Sequence, residues 1–245
     1  MDELLEIMRR LRDPEHGCPW DLRQRFDTIV PYTLEEAAEV ADVVERQAWG
    51  ELRGELGDLL FQVVFLSRLA EERGWFDFAD VARAIVDKMR RRHPHVFGDT
   101  RFTTEEALKK HWESAKAEEH SESGHVRESL MDGVPLTLPA LARAQKLQSR
   151  AARLGLLEDN KSSQLTELHE ILSEVGLADS PEQRDAGIGQ LLFDAVRLAR
   201  ALGIDAEQAL RGASRRFEGR VRAVEQAQNH HAGALSEQEV DASQH

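Results

Sequence analysis

Five carboxylates stand out by their spacing: Glu35, Glu36 and Glu39 in one stretch, Glu55 and Asp58 in the next. On a helix turning about 100° per residue, Glu35 and Glu39 lie one turn apart and Glu36 falls beside them, so the three share one sector. Glu36 also heads the apolar stripe Val40 and Val43, which turns part of the group inward. Glu55 and Asp58, one helical turn apart, sit among Leu52, Leu56, Leu59 and Val63, the apolar seam of their segment. In an antiparallel helix pair joined near Trp49 and Gly50, the two acidic patches can face each other. Five like charges gathered in this way repel or shift their pKa values unless a cation neutralises them. Magnesium suits such a site: it takes oxygen ligands, keeps several waters and shares its shell with substrate phosphates. The competing reading is a solvated helix face with Arg46 and Arg53 as surface partners. Di-iron chemistry is disfavoured, because neither patch supplies a His one turn on.

The elements that must position these acids are helices. Between sparse glycines and prolines, apolar residues recur at three- and four-residue spacing, and almost no strand pattern appears. The pattern predicts helices over about 4–11, 33–46 with Thr33 as N-cap, 49–73, 78–92, and from Thr103 or Thr104 to about 119. A loop carries Trp20 and Asp21, and the His93-Pro94 step ends the third long helix. A polar stretch with Ser121, Ser123, Gly124 and Pro135 marks a boundary. Helical periodicity then resumes over about 138–154, 164–175, 182–202 and 206–228, followed by a loose tail. The expected architecture is all-α, with a catalytic helical domain over 1–119, a linker over 120–137, a second helical domain over 138–228 and a flexible tail over 229–245.

The halves are related. Residues 57–70 set against 189–202 match Gly57, Leu59, Leu60, Phe61, Val64, Leu66 and Arg68 with Gly189, Leu191, Leu192, Phe193, Val196, Leu198 and Arg200. An unbroken Leu-Leu-Phe preceded by Gly at the same offset points to duplication. Glu55 and Asp58 fall opposite Gly187 and Gln190, and Glu35, Glu36 and Glu39 find only His169, Glu170, Ser173 and Glu174. The second copy keeps the packing pattern and loses the acids.

Composition bounds the rest. A chain of 245 residues, 41% hydrophobic and 31% charged, can build one large or two small domains. A formal charge of -13 argues against binding a nucleic-acid polymer, which needs a basic surface. Cys18, the single cysteine, makes neither an internal disulfide nor a Cys-based zinc site, so a reducing compartment, the cytoplasm, is the expectation. No segment approaches the roughly 18 apolar residues of a membrane span. His93 and His95 read as a structural turn rather than a zinc site, and Cys18 has no partner for nucleophilic work.

The quoted residues also carry a resemblance. Cys18-Pro19-Trp20-Asp21, the run from Tyr32 to Val40, the run from Arg53 to Val64, and the run from Arg91 to Gly98 resemble the MazG nucleoside triphosphate pyrophosphohydrolases. The resemblance extends through Trp112 and Lys116 and into the second half across the run from Leu138 to Lys146. It implies Mg2+-dependent hydrolysis of canonical or damaged nucleoside triphosphates to monophosphate and pyrophosphate, a nucleotide-pool house-cleaning role, and tandem all-α bundles assembling as a homodimer. By position it implies Glu35, Glu36, Glu39, Glu55 and Asp58 as metal ligands, with Glu36 or Glu39 acting on the attacking water. Lys88 and Arg92 match basic residues facing the phosphates, and Trp112 and Lys116 complete the substrate-binding set. Two alternatives stand beside it: a hydrolase of another phosphorylated small molecule, such as a phosphoribosyl compound, and a non-catalytic helical interaction module.

Overall fold

The computed structural model describes the backbone of residues 1–122, 129–157 and 160–242; for 109, 113, 116–122, 161 and 229–242 it describes backbone alone. The chain divides into two compact units, Met1–His125 and Val126–His245. Among the described residues both are helical, without a strand.

The first unit runs α1 (Asp2–Leu11), α2 (Pro19–Leu22), α3 (Phe26–Arg46), α4 (Leu52–Glu71), α5 (Phe78–Arg92), α6 (Pro94–Phe97) and α7 (Glu105–Glu122). Two expectations are corrected. Trp20 and Asp21 lie in the one-turn helix α2, begun by Pro19, rather than in a loop. Thr33 is not an N-cap. α3 starts seven residues earlier, after Arg25, whose N–H donates to the Thr28 hydroxyl (2.8 Å). Pro31 sits in the second turn, where it removes only the one bond to the Asp27 carbonyl. Thr33 instead donates its hydroxyl back to the Ile29 carbonyl at 3.2 Å. α5 has the expected bounds and is capped by Asp77, which accepts from the Asp80 N–H at 2.8 Å. The Thr104 hydroxyl accepts from the Ala107 N–H at the start of α7 (3.1 Å).

α3 and α4 form a hairpin closed at Gln47, which adopts a left-handed conformation (φ 58°) so that the Ala48 N–H reaches back to the Val43 carbonyl. The core gathers at the end far from that turn: Met8 of α1, Ile29 of α3, and Val64, Phe65 and Leu69 of α4 are buried together. Arg12, just past α1, seals this end. Its guanidinium grips Glu72 with two bonds (2.7 and 2.6 Å), donates to the Asp21 carbonyl and lies over the Phe65 ring. In the half of the hairpin nearer its turn Val43 is buried too, and the acids share that half with it.

The second unit contains α8 (Ala140–Arg153), α9 (Lys161–Leu177), α10 (Pro181–Ala201) and α11 (Ala206–Ala242). The α9–α10 hairpin repeats α3–α4, and α8 packs on α10 as α1 packs on α4. α11 continues to Ala242, so helix replaces the tail expected from Asn229. This unit buries polar side chains where the first buries apolar ones. Gln148 donates to the Phe193 carbonyl (2.7 Å), and Arg197, the counterpart of Phe65, pairs with Glu167 (2.8 Å).

Candidate functional site

Antiparallel pairing brings the α3 acids against the α4 acids in the turn-side half of the first hairpin. One ligand oxygen from each of Glu36, Glu39 and Glu55 can be chosen so that all lie within 4.8 Å of one another. The closeness registers on the carboxyls themselves. Burial raises the Glu36 carboxyl above the ordinary range; a Gln62 hydrogen bond opposes the rise, and Glu39 and Asp58 reinforce it. Glu55 is raised likewise by burial, then by Glu39 and Asp58. The neighbours acting on these two groups are acids and Gln62, with no basic side chain among them.

That pattern bears on the solvated-face reading. Arg46, offered there as a surface partner, is held by Asp42 (2.6 Å) and Glu51 (2.8 Å). The acids therefore stand together without a protein counter-ion in their shifts, as a cation site requires. All the donors are carboxylate oxygens on an open, half-exposed face, which fits a hard divalent ion that keeps water in its shell.

The expected ligands are not equivalent. Glu36, Glu39 and Glu55 meet directly, and Asp58 is near enough to raise two of them. Glu35 is exposed and lies outside the three-residue group. Sequence reasoning missed Gln62, which is buried and donates its amide to Glu36 Oε1 (3.3 Å), fixing that carboxylate from α4. The signal was available: Glu55, Asp58 and Gln62 recur at three- and four-residue spacing on one face of α4.

Lys88 and Arg92, one turn apart and both half-buried, lie at the far end of α5. The short connection 72–77 turns the chain back along α4, with which α5 is in contact. Trp112 of α7 is half-buried, and its indole N–H donates to the Arg92 carbonyl (2.9 Å), so it secures the end of the basic helix. The Lys116 side chain lies outside the described residues.

The second unit shows what the same hairpin becomes without this site. Gly187 stands where Glu55 stands in the first unit, and a Cβ there would lie 2.4 Å from Val175 Cγ2. α9 and α10 have closed on that position. Gln190, opposite Asp58, donates to Asp194 (2.7 Å), and Arg197 supplies an internal positive charge to Glu167.

Comparisons with known proteins show what the chain is similar to. The family model described as "MazG nucleotide pyrophosphohydrolase domain" matches residues 24–97, which span α3 to α6 and hold all five acids with Lys88 and Arg92. The Escherichia coli (strain K12) protein named nucleoside triphosphate pyrophosphohydrolase is 47% identical over 231 residues, covering 92% of this chain and 87% of that protein. A Thermotoga maritima protein named nucleoside triphosphate pyrophosphohydrolase/pyrophosphatase MazG is 37% identical over 225 residues, covering 92% of this chain and 85% of its own length. The solved structure of a mazG-related protein from Thermotoga maritima aligns with a TM-score of 0.40 at 29% identity, over 48% of this chain and 99% of that one.

Proposed function

The chain belongs to the MazG family of nucleotide pyrophosphohydrolases, and from that membership we propose a Mg2+-dependent enzyme hydrolysing nucleoside triphosphates to monophosphate and pyrophosphate. The observation that carries the reading is the meeting of Glu36, Glu39 and Glu55, with Asp58 beside them, across the α3–α4 hairpin. We assign the metal to Glu36, Glu39, Glu55 and Asp58, with Glu35 at the rim as an outer ligand.

When bound, Mg2+ neutralises the cluster and polarises the phosphate oxygens it shares. Glu36 is steadied by Gln62, while Glu39 is exposed and free to meet solvent. Glu39, or Glu36 where the metal leaves it room, orients the attacking water and takes its proton. The water oxygen bonds to the α-phosphorus, the bridging bond to the β-phosphate breaks, and pyrophosphate leaves with the electron pair. Lys88 and Arg92 stabilise the charge gathering on the phosphate oxygens. Trp112 positions Arg92 through its backbone carbonyl, and Lys116 joins the substrate set by resemblance.

Catalysis belongs to residues 1–119, with 120–137 as linker and 138–228 as a supporting, metal-free copy, consistent with the closed position at Gly187. The functional unit is a homodimer: Val30, Leu34, Val44 and Leu56 of the catalytic hairpin are each more than 40% exposed in a single chain, an apolar face that a second copy would cover. The single Cys18 suits the cytoplasm. Among the described residues no helix is long and apolar enough to cross a membrane. The test is hydrolysis of dNTPs in H2(18)O by wild type and Asp58→Asn. The label appears in the monophosphate and the variant loses activity if the assignment holds; wild-type rates in the variant overturn it.

A further inference from the structure

A continuous run of rings begins where α5 ends. Trp112 stands edge-on to His93 with 5.7 Å between centroids, His93 lies 5.8 Å from His95, His95 meets Phe102 at 5.4 Å, and Phe102 lies 5.1 Å from His111. The inner members are committed to the fold: Trp112 donates to the Arg92 carbonyl and His93 Nδ1 lies 2.9 Å from the Met89 carbonyl. The outer members are not. His95 Nδ1 and His111 Nε2 are both shut off from water with no hydrogen-bond partner.

Next to the outer rings is an open cavity of about 450 Å3, lined by His95, Phe102 and Leu108 together with the polar Arg101, Thr103, Thr104 and Glu105. It starts three residues beyond Arg92, at the end of the helix that carries Lys88 and Arg92. A nucleotide has the matching division: a charged triphosphate at one end, and at the other a flat ring whose faces stack and whose edges hydrogen-bond. We propose that the His95–Phe102 cavity receives the nucleobase of the substrate while the triphosphate lies on Lys88, Arg92 and the acid cluster. The assignment rests on the nucleoside triphosphate reading given above.

Phe102 and His95 offer ring surface to a base of any identity, because every base has a π-face. A neutral imidazole nitrogen donates or accepts according to its tautomer, so His95 serves the edge of more than one base. The cavity therefore favours base binding with broad tolerance rather than selection of a single base.

The experiment compares two probes on the full-length protein with Mg2+: non-hydrolysable α,β-imido dNTPs, one for each base, and inorganic tripolyphosphate, which has no base. Calorimetric affinities are measured for wild type, Phe102→Leu and His95→Ala. Phe102→Leu keeps an apolar side chain in the packed site, and circular dichroism checks each variant for folding. The expected result is that Phe102→Leu weakens every imido-dNTP by about tenfold or more, in line with base–aromatic stacking, while tripolyphosphate affinity holds and the KM for dNTPs rises. His95→Ala gives the same separation. Equal weakening of both probes, or no weakening of either, overturns the base pocket. If wild type hydrolyses dNTPs yet binds tripolyphosphate as tightly as the imido-dNTPs, the pocket alone fails. If wild type binds neither probe, the acid-site reading fails with it.

Discussion

Replacing Glu36 by Gln removes one charge from the crowded end of the hairpin while keeping size and hydrogen-bonding capacity. In the metal-free protein Glu36 is raised by burial and by Glu39 and Asp58, so ionising it costs free energy in the folded state. A carboxyl with a raised folded pKa contributes stability at pH below its ordinary value and loses it as pH rises through the folded value. At neutral pH wild type therefore carries a penalty that Glu36→Gln lacks. Two unit charges at the 4.8 Å limit of the cluster repel by about 1 kcal/mol in a water-like medium, and the open face keeps the screening high. Urea unfolding at pH 7 with a chelator is expected to show Glu36→Gln more stable than wild type by about that amount. Adding Mg2+ reverses the order. A ligand at a hundred times its dissociation constant adds about 2.7 kcal/mol to the protein that binds it, and the variant has lost a ligand. If Glu36→Gln is less stable without metal, or gains as much from Mg2+ as wild type, the acids are not a cation site.

Four further outcomes follow from the fold. Arg12→Met removes the two-bond grip on Glu72 and one of the two donors to the Asp21 carbonyl, the other being the Gln24 N–H; a loss of about 2–4 kcal/mol is expected in urea unfolding, with m unchanged. Glu72 is pushed up by burial but held below its ordinary range on balance by hydrogen bonds and charge from Arg12 and Arg68. Its contribution is present above the ordinary carboxylate pKa and is lost as pH falls through the lowered value, so acid unfolding of Arg12→Met begins at higher pH than that of wild type. Gln47→Gly relieves a left-handed non-glycine residue at the hairpin turn and raises stability by about 0.5–1 kcal/mol, readable as a shift in the thermal midpoint. Two glycines in different hairpins give opposite results: Gly187→Ala meets Val175 at 2.4 Å and destabilises by about 1–3 kcal/mol, whereas Gly57→Ala meets nothing within 4 Å and gains up to about 1 kcal/mol in helix propensity.

What the sequence made legible was local. The helical period and the His93-Pro94 stop depend on neighbours in the chain, and α5 has the bounds its pattern implies. The acid patches could be paired because a short turn between two amphipathic segments leaves little choice but a hairpin. The start of α3 was missed because Thr33, with Glu36 three residues on, has the look of a cap, and the apolar pattern does not mark how far the helix extends before it. Glu35 and Glu39 look alike in the sequence, yet Glu39 and not Glu35 joins the group with Glu36 and Glu55, and this depends on the rotation of α3 against α4. Contacts between elements were less visible still. Nothing local to Gly187 announces Val175, and nothing local to His95 announces Phe102 and His111, because those encounters are set by packing rather than by periodicity.

The most direct test of the central claim is product analysis by 31P NMR after incubating dNTPs with the full chain, with and without Mg2+, beside Glu55→Gln. The account predicts dNMP and pyrophosphate from wild type with Mg2+, no turnover with a chelator, and at least a hundredfold slower turnover, an order-of-magnitude expectation for a lost metal ligand, in Glu55→Gln. Release of dNDP and phosphate, or unchanged turnover in Glu55→Gln, would contradict it.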